Sequence, residues 1–597
     1  MITNDFVIQV ATVNGSGSQS SNSVLVKSLF RMGISVSGKN MFPSNIAGLP
    51  TWFTIRLSRK SFSGRKSGND IVVGMNLNTI KQDIDSVKPG GYFIYNSDLK
   101  FDPILLRQDV ENIGIPFKSI SKDLSDSIKL KKLLVNMVYA GVVSQLIDIP
   151  EEIIAGVIAD QFADKNEVIE SNLKAIKAGR EYARKQLNPS EFLLKAEPVK
   201  NGNTGKILID GNTATALGLI YGGCSFLSWY PITPSSSISE TFEHYAKKLR
   251  VDESGRHNYA IVQAEDELSA ISMVIGAGWA GSRAITCTSG PGLSLMAEAA
   301  GLSYFAEVPA VIWDVQRGGP STGLPTRTQQ ADVGFAAHLS HGDTEHILLL
   351  PNSPHECFEF GQTCFDLAET LQTLVIVLSD LDLGMNLWVS DELKPTGRPF
   401  HRGKVLSETD LDHRDSFERY ADVDGDAIPY RTLPGTHHKK AGYFTRGTGH
   451  KPDAGYSEDH IVYRDLLKRL KKKFDTAKKY VPRPEIKWNE KANIGIIAFG
   501  STDSIIEETQ YLLNMKQKSS SYMRLRAYPF TEEVNDFIDR HDKLYVVEQN
   551  RDGQMHSLLV KNRPDAWNKL SSIVQYDGLP IEAEHVYKEI MLKEGAL

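Results

Sequence analysis

The sequence has few cysteines, and their spacing excludes the usual thiolate cluster sites. The four are Cys224, Cys287, Cys357 and Cys364, and no two of them form the CxxC pair that iron–sulfur and zinc sites commonly use. We therefore expect four small buried thiols in a reducing compartment. Any iron–sulfur cluster that this chain works with must lie in another polypeptide.

Long apolar runs and blocks of one charge are also missing. No stretch approaches the roughly 18 apolar residues that a membrane span needs, and the N-terminus carries an acid but no basic signal region. The net charge of -6 is small for 597 residues and is spread along the chain, which argues against nucleic-acid or membrane binding. We expect a soluble, cytoplasmic protein.

Length and composition predict an α/β protein of several domains. The 41% apolar content is enough for a core in each domain, and strand-like runs such as DFVIQVATV are followed by helical patterns. A polar stretch rich in Gly, Pro, His and Lys separates the last domain, and we expect it to be a surface connection. The predicted parts are an N-terminal α/β domain, a densely α/β domain, the polar connection and a small α/β domain, at 1–195, 196–385, 386–488 and 489–597.

The second predicted domain carries the most regular alternation. Short apolar runs, AITCTS, VPAVIWDV and TLVIVLSD, alternate with helical periods, which is typical of a largely parallel sheet. Small residues in GNTATALGLIYGG would allow a helix to pack closely against that sheet. The loops that follow such strands meet at one edge, where ligands of open α/β sheets bind.

Three of these loops carry candidate site residues. In YPITPSS the prolines Pro231 and Pro234 fix the backbone, so that Thr233 is held in one direction. In QRGGPSTGLPTRTQQAD, Arg317 has a planar fork that suits a carboxylate, and Thr326 is close enough in sequence to help orient an acid or keto group. The alternative for YPITPSS is a structural turn, bracketed by prolines, ahead of a helix. The alternative for Arg317 is a surface ion pair.

The third loop contains Glu265, Asp266 and Glu267, directly before the small-residue run AISMVIGAGWAG. That run must be a buried helix, so we expect at least one of the acids to be desolvated. A desolvated carboxyl keeps its proton to higher pH and can donate a hydrogen bond to a ring nitrogen. The alternative is a carboxylate that caps the helix.

Taken together, the motifs resemble the α subunit of 2-oxoacid:ferredoxin oxidoreductases, in the long form with a fused N-terminal γ domain. The resemblance covers nearly the whole chain. The segments that carry it, in this order, are GNTATALGLIYGG, YPITPSS, TSGPGLSLM, QRGGPSTGLPTRTQQAD, RGTGH and VVEQNRDGQM. It implies a thiamine-diphosphate-binding fold of the pyrimidine type for the second domain and a transketolase C-terminal-like fold for the last.

The resemblance also implies roles for individual residues. Glu265 matches the catalytic carboxylate that faces the aminopyrimidine of thiamine diphosphate, and Thr233, Arg317 and Thr326 match residues that hold the 2-oxoacid. Further contacts to the cofactor are implied for Tyr230, Pro231, Ile232, Ser289, Gly290 and Pro291.

The GDG motif that normally holds thiamine diphosphate through Mg²⁺ is absent, since DGDAIPY and NRDGQM do not fit it. The chain is therefore expected to lack the diphosphate half of the site and to bind no metal itself. A β subunit would supply the diphosphate and Mg²⁺ ligands and a [4Fe–4S] cluster, in a heterodimer or a dimer of heterodimers. Asn550 and Gln554 are predicted to line that interface, with loop polarity alone as the alternative.

The N-terminal γ domain is a weaker match. Its loop NGSGSQSSNS has Gly15 and Gly17 but fewer glycines than a diphosphate-binding turn usually has, whereas KNMFPSNIAGLPTWFTIRLS fits the family. The resemblance implies that this domain covers the active site and contacts coenzyme A; a purely structural domain is the alternative.

The expected reaction is the coenzyme A-dependent oxidative decarboxylation of a 2-oxoacid with ferredoxin as electron acceptor. GTHHKKAGYFTRGTGH and the QRGG loop favour 2-oxoglutarate, while pyruvate, a branched-chain oxoacid and a non-catalytic scaffold for electron-transfer partners stay open. His437, His438 and His450 lack suitable companions for a metal site and are predicted to be solvated loop residues.

Overall fold

The computed structural model describes residues 1–43 and 48–595, without the side chain of Ile128. Residues 44–47, within the KNMFPSNIAGLPTWFTIRLS match, therefore lie outside the described residues. The chain forms two compact units, which consist of 1–209, 386–392 and 582–584, and of 210–385, 393–581 and 585–597. No helix in the described part of the chain is both long and apolar enough to span a membrane.

The first unit is built on a six-stranded sheet with the order β3-β4-β2-β5-β6-β7. Its strands are β1 Ile2–Thr3, β2 Val7–Val13, β3 Val36–Met41, β4 Pro50–Leu57, β5 Asn69–Gly74, β6 Val87–Asn96, β7 Glu111–Ile115, β8 Leu194–Lys195 and β9 Lys206–Ile209. Its helices are α1 Ser18–Arg31, α2 Ile80–Asp85, α3 Phe117–Ser121, α4 Ile128–Leu146, α5 Glu151–Gln161 and α6 Asn166–Gln186. Strands β2, β5, β6 and β7 are parallel, and β3 and β4 add an antiparallel margin.

Helix α6 packs tightly on α4. A methyl group on Gly179 would lie 2.2 Å from the carbonyl oxygen of Val138, and one on Gly141 would lie 2.3 Å from that of Ile176. Only glycine allows this approach of two backbones. The charged stretch that we expected to serve as a connector is therefore a packed helix with one buried face, on which Ala175, Ile176 and Ala183 lie.

The second unit contains two further sheets. Its strands are β10 Phe226–Trp229, β11 Ala260–Gln263, β12 Ala284–Thr288, β13 Ala310–Gln316, β14 Ile347–Leu349, β15 Leu374–Asp380, β17 Glu485–Lys487, β18 Ile494–Phe499, β19 Ser520–Leu525, β20 Ala527–Tyr528, β21 Lys543–Glu548 and β22 Leu570–Val574, while β16 Trp388–Asp391 belongs to the first unit. Its helices are α7 Gly211–Tyr221, α8 Ser236–Leu249, α9 Glu267–Trp279, α10 Gly290–Leu295, α11 Ala297–Phe305, α12 Val333–Ala337, α13 Pro354–Leu371, α14 Leu381–Met385, α15 Glu408–Asp412, α16 His460–Thr476, α17 Ile506–Met515, α18 Glu532–Asp539, α19 Gln554–Asn562 and, for most of its length, α20 Ala583–Lys593.

The larger sheet of this unit has the order β11-β10-β12-β13-β15-β14-β20. All of its pairings are parallel except that of β14 with β20. Every residue of β13 and β15 is buried, as expected for strands that are covered on both faces. The prediction of a largely parallel sheet is confirmed. The smaller sheet has the order β17-β19-β18-β21-β22 and is parallel apart from β17.

The small residues of GNTATALGLIYGG serve a different contact from the one expected. A methyl group on Gly218 would lie 2.4 Å from the carbonyl oxygen of Phe358, and one on Gly222 would lie 2.6 Å from that of Gly361. Both acceptors belong to α13, so α7 packs closely against a helix rather than against the sheet. Asp210 begins α7, because its side chain accepts a hydrogen bond from the amide of Thr213.

The polar connection is not confined to the surface, which corrects our expectation. Glu307, directly before β13, is fully buried and pairs with Arg469 and Lys473 on α16. Burial alone would raise the pKa of Glu307, but the charges of Arg469 and Lys473 outweigh it and hold this pKa well below its usual range. Arg419, also in the connection, donates a hydrogen bond of 2.7 Å to the carbonyl oxygen of Glu307. Because the buried carboxylate of Glu307 needs cationic partners, residues of the connection pack into the core.

Replacing Glu307 with Gln should destabilise the second unit strongly, because Arg469 and Lys473 would be left buried without a counter-ion. We expect a loss of about 3–5 kcal/mol in the free energy of unfolding. Denaturant titration followed by the fluorescence of the buried Trp313 would measure it.

The matched control is Asp465→Asn, which removes the exposed Arg464–Asp465 pair on the same helix. It should cost less than about 1 kcal/mol. Equal losses for the two variants would mean that the buried pairing contributes no more than a surface pair.

Candidate active site

Four loops with predicted site residues leave the larger sheet at the same edge. Tyr230 follows β10, Glu265 lies just after β11, Ser289 follows β12 and Arg317 follows β13. These four strands are parallel, so their carboxyl ends lie side by side. The edge is therefore the crevice at which open α/β sheets bind ligands.

The structure brings Arg317 and Thr233 into direct contact. Arg317 Nη1 donates a hydrogen bond of 2.6 Å to the carbonyl oxygen of Thr233, and Nη2 donates one of 3.3 Å to that of Thr322. Arg317 is only 7% exposed, and among the described residues its guanidinium bonds to these two carbonyl oxygens and to no carboxylate. A desolvated guanidinium that is held by neutral carbonyls retains its charge for an anionic ligand.

Asn212 holds the YPITP turn in place. Its side-chain nitrogen donates hydrogen bonds of 2.9 Å to the carbonyl oxygen of Pro234 and 2.8 Å to the hydroxyl of Ser237. The amide of Ile232 in turn donates to the hydroxyl of Ser236 at 2.9 Å. Sequence reasoning used the GNTA segment only for packing and missed this positioning role, although an asparagine in a buried small-residue helix was a signal for it.

Thr326 lies in the same loop as Arg317 and is almost buried. The loop folds back on itself, because Gly318 donates to the carbonyl oxygen of Arg327 at 2.9 Å and Leu324 donates to that of Gly318 at 2.8 Å. As a result, Leu324 and Arg327 in the second half of the loop lie beside Gly318, the residue after Arg317.

The expectation that at least one of the three acids is desolvated is met by Glu267 and not by Glu265. Glu265 is exposed between β11 and α9, while Glu267 is only 6% exposed. Asp266 caps α9, since its side chain accepts a hydrogen bond of 2.7 Å from the amide of Ser269. Because α9 starts at Glu267, that side chain turns inward beside Gly292, and Glu265 stays outside the helix.

The TSGPG segment begins the short helix α10. Ser289 is fully buried, its hydroxyl has no hydrogen-bond partner among the described residues, and Pro291 stands in the first turn. A methyl group on Gly290 would lie 3.0 Å from Oδ2 of Asp332, so the carboxyl of Asp332 occupies the space beside this glycine. The predicted cofactor residues Ser289, Gly290 and Pro291 are thus adjacent to the Arg317 loop.

The end of the Arg317 loop is fixed by the terminal α/β domain, through a set of four residues that we call the amide clamp: Gln330, Gln549, Asn550 and Gln554. Gln330 and Gln549 exchange hydrogen bonds of 2.7 and 3.1 Å, and Asn550 donates one of 2.9 Å to the carbonyl oxygen of Gln330. Gln554 donates one of 2.7 Å to the carbonyl oxygen of Ala331. Asn550 is buried by these contacts. Instead of lining an outer surface, Asn550 and Gln554 bind the loop within this chain.

A buried acid supports the same loop from the sheet side. Asp380, at the end of β15, accepts a hydrogen bond of 3.2 Å from the hydroxyl of Thr328 and one of 3.0 Å from the amide of Leu383. Burial raises the pKa of Asp380 to about 6. Sequence reasoning missed this residue and Gln330, although both lie in segments that it had singled out.

The histidines of the connection do not behave alike. His450 is buried, its ring centroid lies 4.0 Å from that of Tyr420, and burial lowers its pKa. The expectation of a solvated loop histidine is therefore wrong for His450, whereas His437 is exposed and His438 is half-buried beside Asp412.

Within the described residues, no group of three His, Cys, Asp or Glu side chains could hold a metal ion. All four cysteines are free and buried, as expected.

Helices α9 to α11, of which α9 begins two residues after Glu265, expose several large apolar side chains. We call this set the exposed apolar face; its members are Leu268, Met273, Trp279, Leu295 and Leu302. Exposed apolar side chains that are grouped on neighbouring helices are typical of a surface that binds another protein.

Two protein families match separate segments of the chain, and together these segments cover more than half of it. Residues 217–389 match the family described as pyruvate flavodoxin/ferredoxin oxidoreductase, thiamine diP-bdg. Residues 7–182 match the family described as pyruvate ferredoxin/flavodoxin oxidoreductase. The predicted fold class, an α/β multidomain protein with a thiamine-diphosphate-binding domain, is confirmed.

Individual relatives and a solved structure cover between 59% and 100% of the chain. A 2-oxoacid:ferredoxin oxidoreductase alpha subunit of Aeropyrum pernix is 30% identical over 97% of this chain and 96% of its own length. The 2-oxoglutarate synthase subunit KorA of Methanothermobacter marburgensis is 36% identical over 59% of this chain and 90% of its own length. Among solved structures, a 2-oxoglutarate:ferredoxin oxidoreductase from Magnetococcus marinus, with 2-oxoglutarate, coenzyme A and succinyl-CoA bound, is 29% identical, covers 100% of both chains and has a TM-score of 0.87.

Replacing Asn550 with Ala should loosen the Arg317 loop, because Asn550 binds both the Gln330 carbonyl and the buried carboxylate of Glu548, at 2.7 Å. Loss of a buried hydrogen bond costs about 1–3 kcal/mol, so tryptic cleavage after Arg327 should become about tenfold faster. Mass spectrometry of timed digests would measure this rate.

Asp552→Ala is the control, since Asp552 is exposed in the same segment and pairs only with the neighbouring Arg551 among the contacts described. An Asn550→Ala protein that is cleaved at the wild-type rate would contradict the clamp.

Proposed function

Since the chain belongs to the alpha subunits of 2-oxoacid:ferredoxin oxidoreductases, we propose that it is the alpha subunit of a 2-oxoglutarate:ferredoxin oxidoreductase. The reaction converts 2-oxoglutarate and coenzyme A to succinyl-CoA and carbon dioxide, and two electrons pass singly to ferredoxin. In the reverse direction, reduced ferredoxin drives the carboxylation of succinyl-CoA. The observation that carries the proposal is the desolvated Arg317, which the Thr233 turn holds at the carboxyl edge of the parallel sheet.

The choice of 2-oxoglutarate is supported by the names of two relatives. The Magnetococcus marinus structure has 2-oxoglutarate bound, and the Methanothermobacter marburgensis relative is a 2-oxoglutarate synthase subunit. Pyruvate or another 2-oxoacid is the alternative, since the Aeropyrum pernix relative is named only for 2-oxoacids and both family descriptions name pyruvate.

In this proposal Arg317 binds the 2-oxoacid carboxylate. Its guanidinium keeps two donors on the carbonyl oxygens of Thr233 and Thr322, so its position is set before the substrate arrives. Thr233 and Thr326 supply hydroxyl groups for the carboxylate or the keto oxygen. Donors that are already in position bind the substrate carboxylate without a free-energy cost of reorganisation.

The residues of this chain fit the pyrimidine half of thiamine diphosphate. Glu265 offers an accessible carboxyl, and Ser289 has a buried hydroxyl without a partner among the described residues. Glu265 would hold a proton at the pyrimidine ring nitrogen, while Tyr230, Pro231, Ile232, Gly290 and Pro291 would form the walls. When bound, the cofactor supplies the carbanion that adds to the keto carbon, as is general for thiamine enzymes.

The diphosphate half does not fit this chain, and we propose that a β subunit provides it together with Mg²⁺ and a [4Fe–4S] cluster. The described residues offer no metal-binding group, and all four thiols are buried. We infer that such a subunit covers Glu265 and the exposed apolar face. Desolvation of Glu265 would then occur on assembly into a heterodimer or a dimer of heterodimers.

The N-terminal domain is proposed to contact coenzyme A and to cover the active site. The positive φ angles of Gly15 and Gly17 and the start of α1 directly after them resemble an anion-binding turn, although the loop has few glycines. We also propose that the domains of the chain end at residues 195, 385 and 488. A cytoplasmic location, where the four free thiols remain reduced, is a further part of the proposal.

Purified together with its β subunit, the protein should reduce a viologen dye with 2-oxoglutarate, coenzyme A and thiamine diphosphate. We expect kcat/KM for 2-oxoglutarate to exceed that for pyruvate or a branched-chain oxoacid by at least about tenfold, because a second carboxylate adds binding energy that the others lack. Higher efficiency with pyruvate would reject the substrate proposal but retain the family.

Replacing Glu265 with Gln should lower the rate of this complex by about 100-fold or more, the usual contribution of a proton-transfer group, with little change in stability. Glu253→Gln, at another exposed acid, is the control and should retain the wild-type rate. If Glu265→Gln retains full activity while Glu267→Gln is folded but inactive, the proton-holding role belongs to Glu267 and not to Glu265.

A further inference from the structure

Two carboxyl groups lie close enough to Arg317 to act on its charge: that of Asp314 is fully buried, and that of Asp332, already placed beside Gly290, belongs to a partly exposed residue but has a buried Oδ2. Asp314 lies in the middle of β13, where it pairs in register with Thr288 of β12 and Leu378 of β15. Asp332 precedes α12, and its amide donates a hydrogen bond of 3.1 Å to the side chain of Gln316. The two carboxyls lie close enough for each to shift the pKa of the other. We call them the acid pair.

Three of the four carboxyl oxygens of the acid pair lack a hydrogen-bond donor among the described residues. Both oxygens of Asp314 and Oδ2 of Asp332 are buried and accept no hydrogen bond from any donor of the described residues. Two ionised carboxylates in contact without donors would each carry a large desolvation cost and would repel each other. A proton between them removes the repulsion and satisfies two of the oxygens, so the pair must hold at least one proton.

Among the described residues, one charge besides their own acts on the two acids. Arg317 is the only charged group, apart from the two acids themselves, that influences either pKa, and it acts on both. The neighbouring elements contribute Thr288, Ser289 and Gly290 from β12 and α10, and they are neutral. Glu267 on α9 faces Gly292 instead. Burial raises the pKa of both acids, and for Asp314 the charge of Asp332 adds to this effect.

We propose that Asp314 and Asp332 share one proton and are positioning residues for Arg317, and that this proton controls the affinity of the site for the 2-oxoacid. With one proton, the pair carries one negative charge, which orients the Arg317 guanidinium without an ion pair and leaves its donors for the substrate carboxylate. Loss of the shared proton places a second negative charge behind the guanidinium and repels the incoming carboxylate. This inference rests on the proposed role of Arg317 in substrate binding.

The direction of the pH effect follows from the charges. The proton is present at neutral pH, because burial and mutual repulsion raise the pKa of the pair, and it is lost on the alkaline side. The 2-oxoacid therefore binds more weakly as pH rises, so its KM increases while kcat changes less. By linkage, binding of a 2-oxoacid at alkaline pH must draw one proton from solvent into the pair.

The test uses the complex with its β subunit and two variants, Asp314→Asn and Asp332→Asn. Either amide can donate to the remaining carboxylate, so each variant carries one negative charge from neutral to alkaline pH. The wild-type KM should rise about tenfold from neutral to alkaline pH, and the KM of both variants should stay flat. Asp83→Asn, which removes a buried carboxyl of the first unit that is bound to Trp52 and Thr79, is the control and should follow the wild type.

Calorimetry provides a second readout that does not depend on turnover. N-oxalylglycine, an unreactive analogue of 2-oxoglutarate, is titrated in two alkaline buffers of different ionisation enthalpy. Proton uptake by the wild type and none by the variants is expected. If neither variant folds, the wild type alone decides, since binding without proton uptake would overturn the proposal.

The failure of this inference differs from the failure of the proposed function. A wild-type complex that turns over no 2-oxoacid at any pH would reject the function itself. A complex that turns over 2-oxoglutarate, with variants that keep the alkaline rise in KM, would reject only the role of the acid pair.

Discussion

The parallel pairing of β10, β11, β12 and β13 is the constraint on which the site depends. Because these strands run in the same direction, the loops with Thr233, Glu265, Ser289 and Arg317 emerge at one edge although they are far apart in sequence. The hydrogen bond from Arg317 to the Thr233 carbonyl connects the loop after β13 to the loop after β10, and β12 lies between these two strands. Fixed backbone groups, and not flexible side chains, set the position of the charge.

Support for this edge comes from elsewhere in the chain. The amide clamp joins the Arg317 loop to the terminal domain, and Glu307 requires cations from the connection. Each contact satisfies a buried polar group that would otherwise cost free energy. The edge of one sheet is therefore maintained by segments that lie up to a few hundred residues away in sequence.

Much of this arrangement was predictable from sequence, because alternation of apolar runs dictates parallel strands and because Pro231, Pro234 and Arg317 have distinct chemistry. The failures share a physical reason: burial depends on the partner of a residue, which local sequence does not contain. Glu265 is exposed because α9 begins two residues later, and His450 is buried because Tyr420 and Phe305 enclose it. The small residues of α7 fit a helix or a sheet equally well, and only α13 decides between them. Asp314 lies within an apolar strand and its partner Asp332 lies beyond a long loop, so the local sequence of neither residue shows the pair.

The pairing of Glu307 with Lys473 has a consequence for the biogenesis of the protein. Glu307 immediately precedes the central strand β13, and its second cation is 166 positions further along the chain. While the chain is still being synthesised, this carboxylate can be withdrawn from water only at a high cost until α16 has left the ribosome. The middle of the sheet is therefore completed late, and nascent chains that end before α16 would remain open at the base of β13.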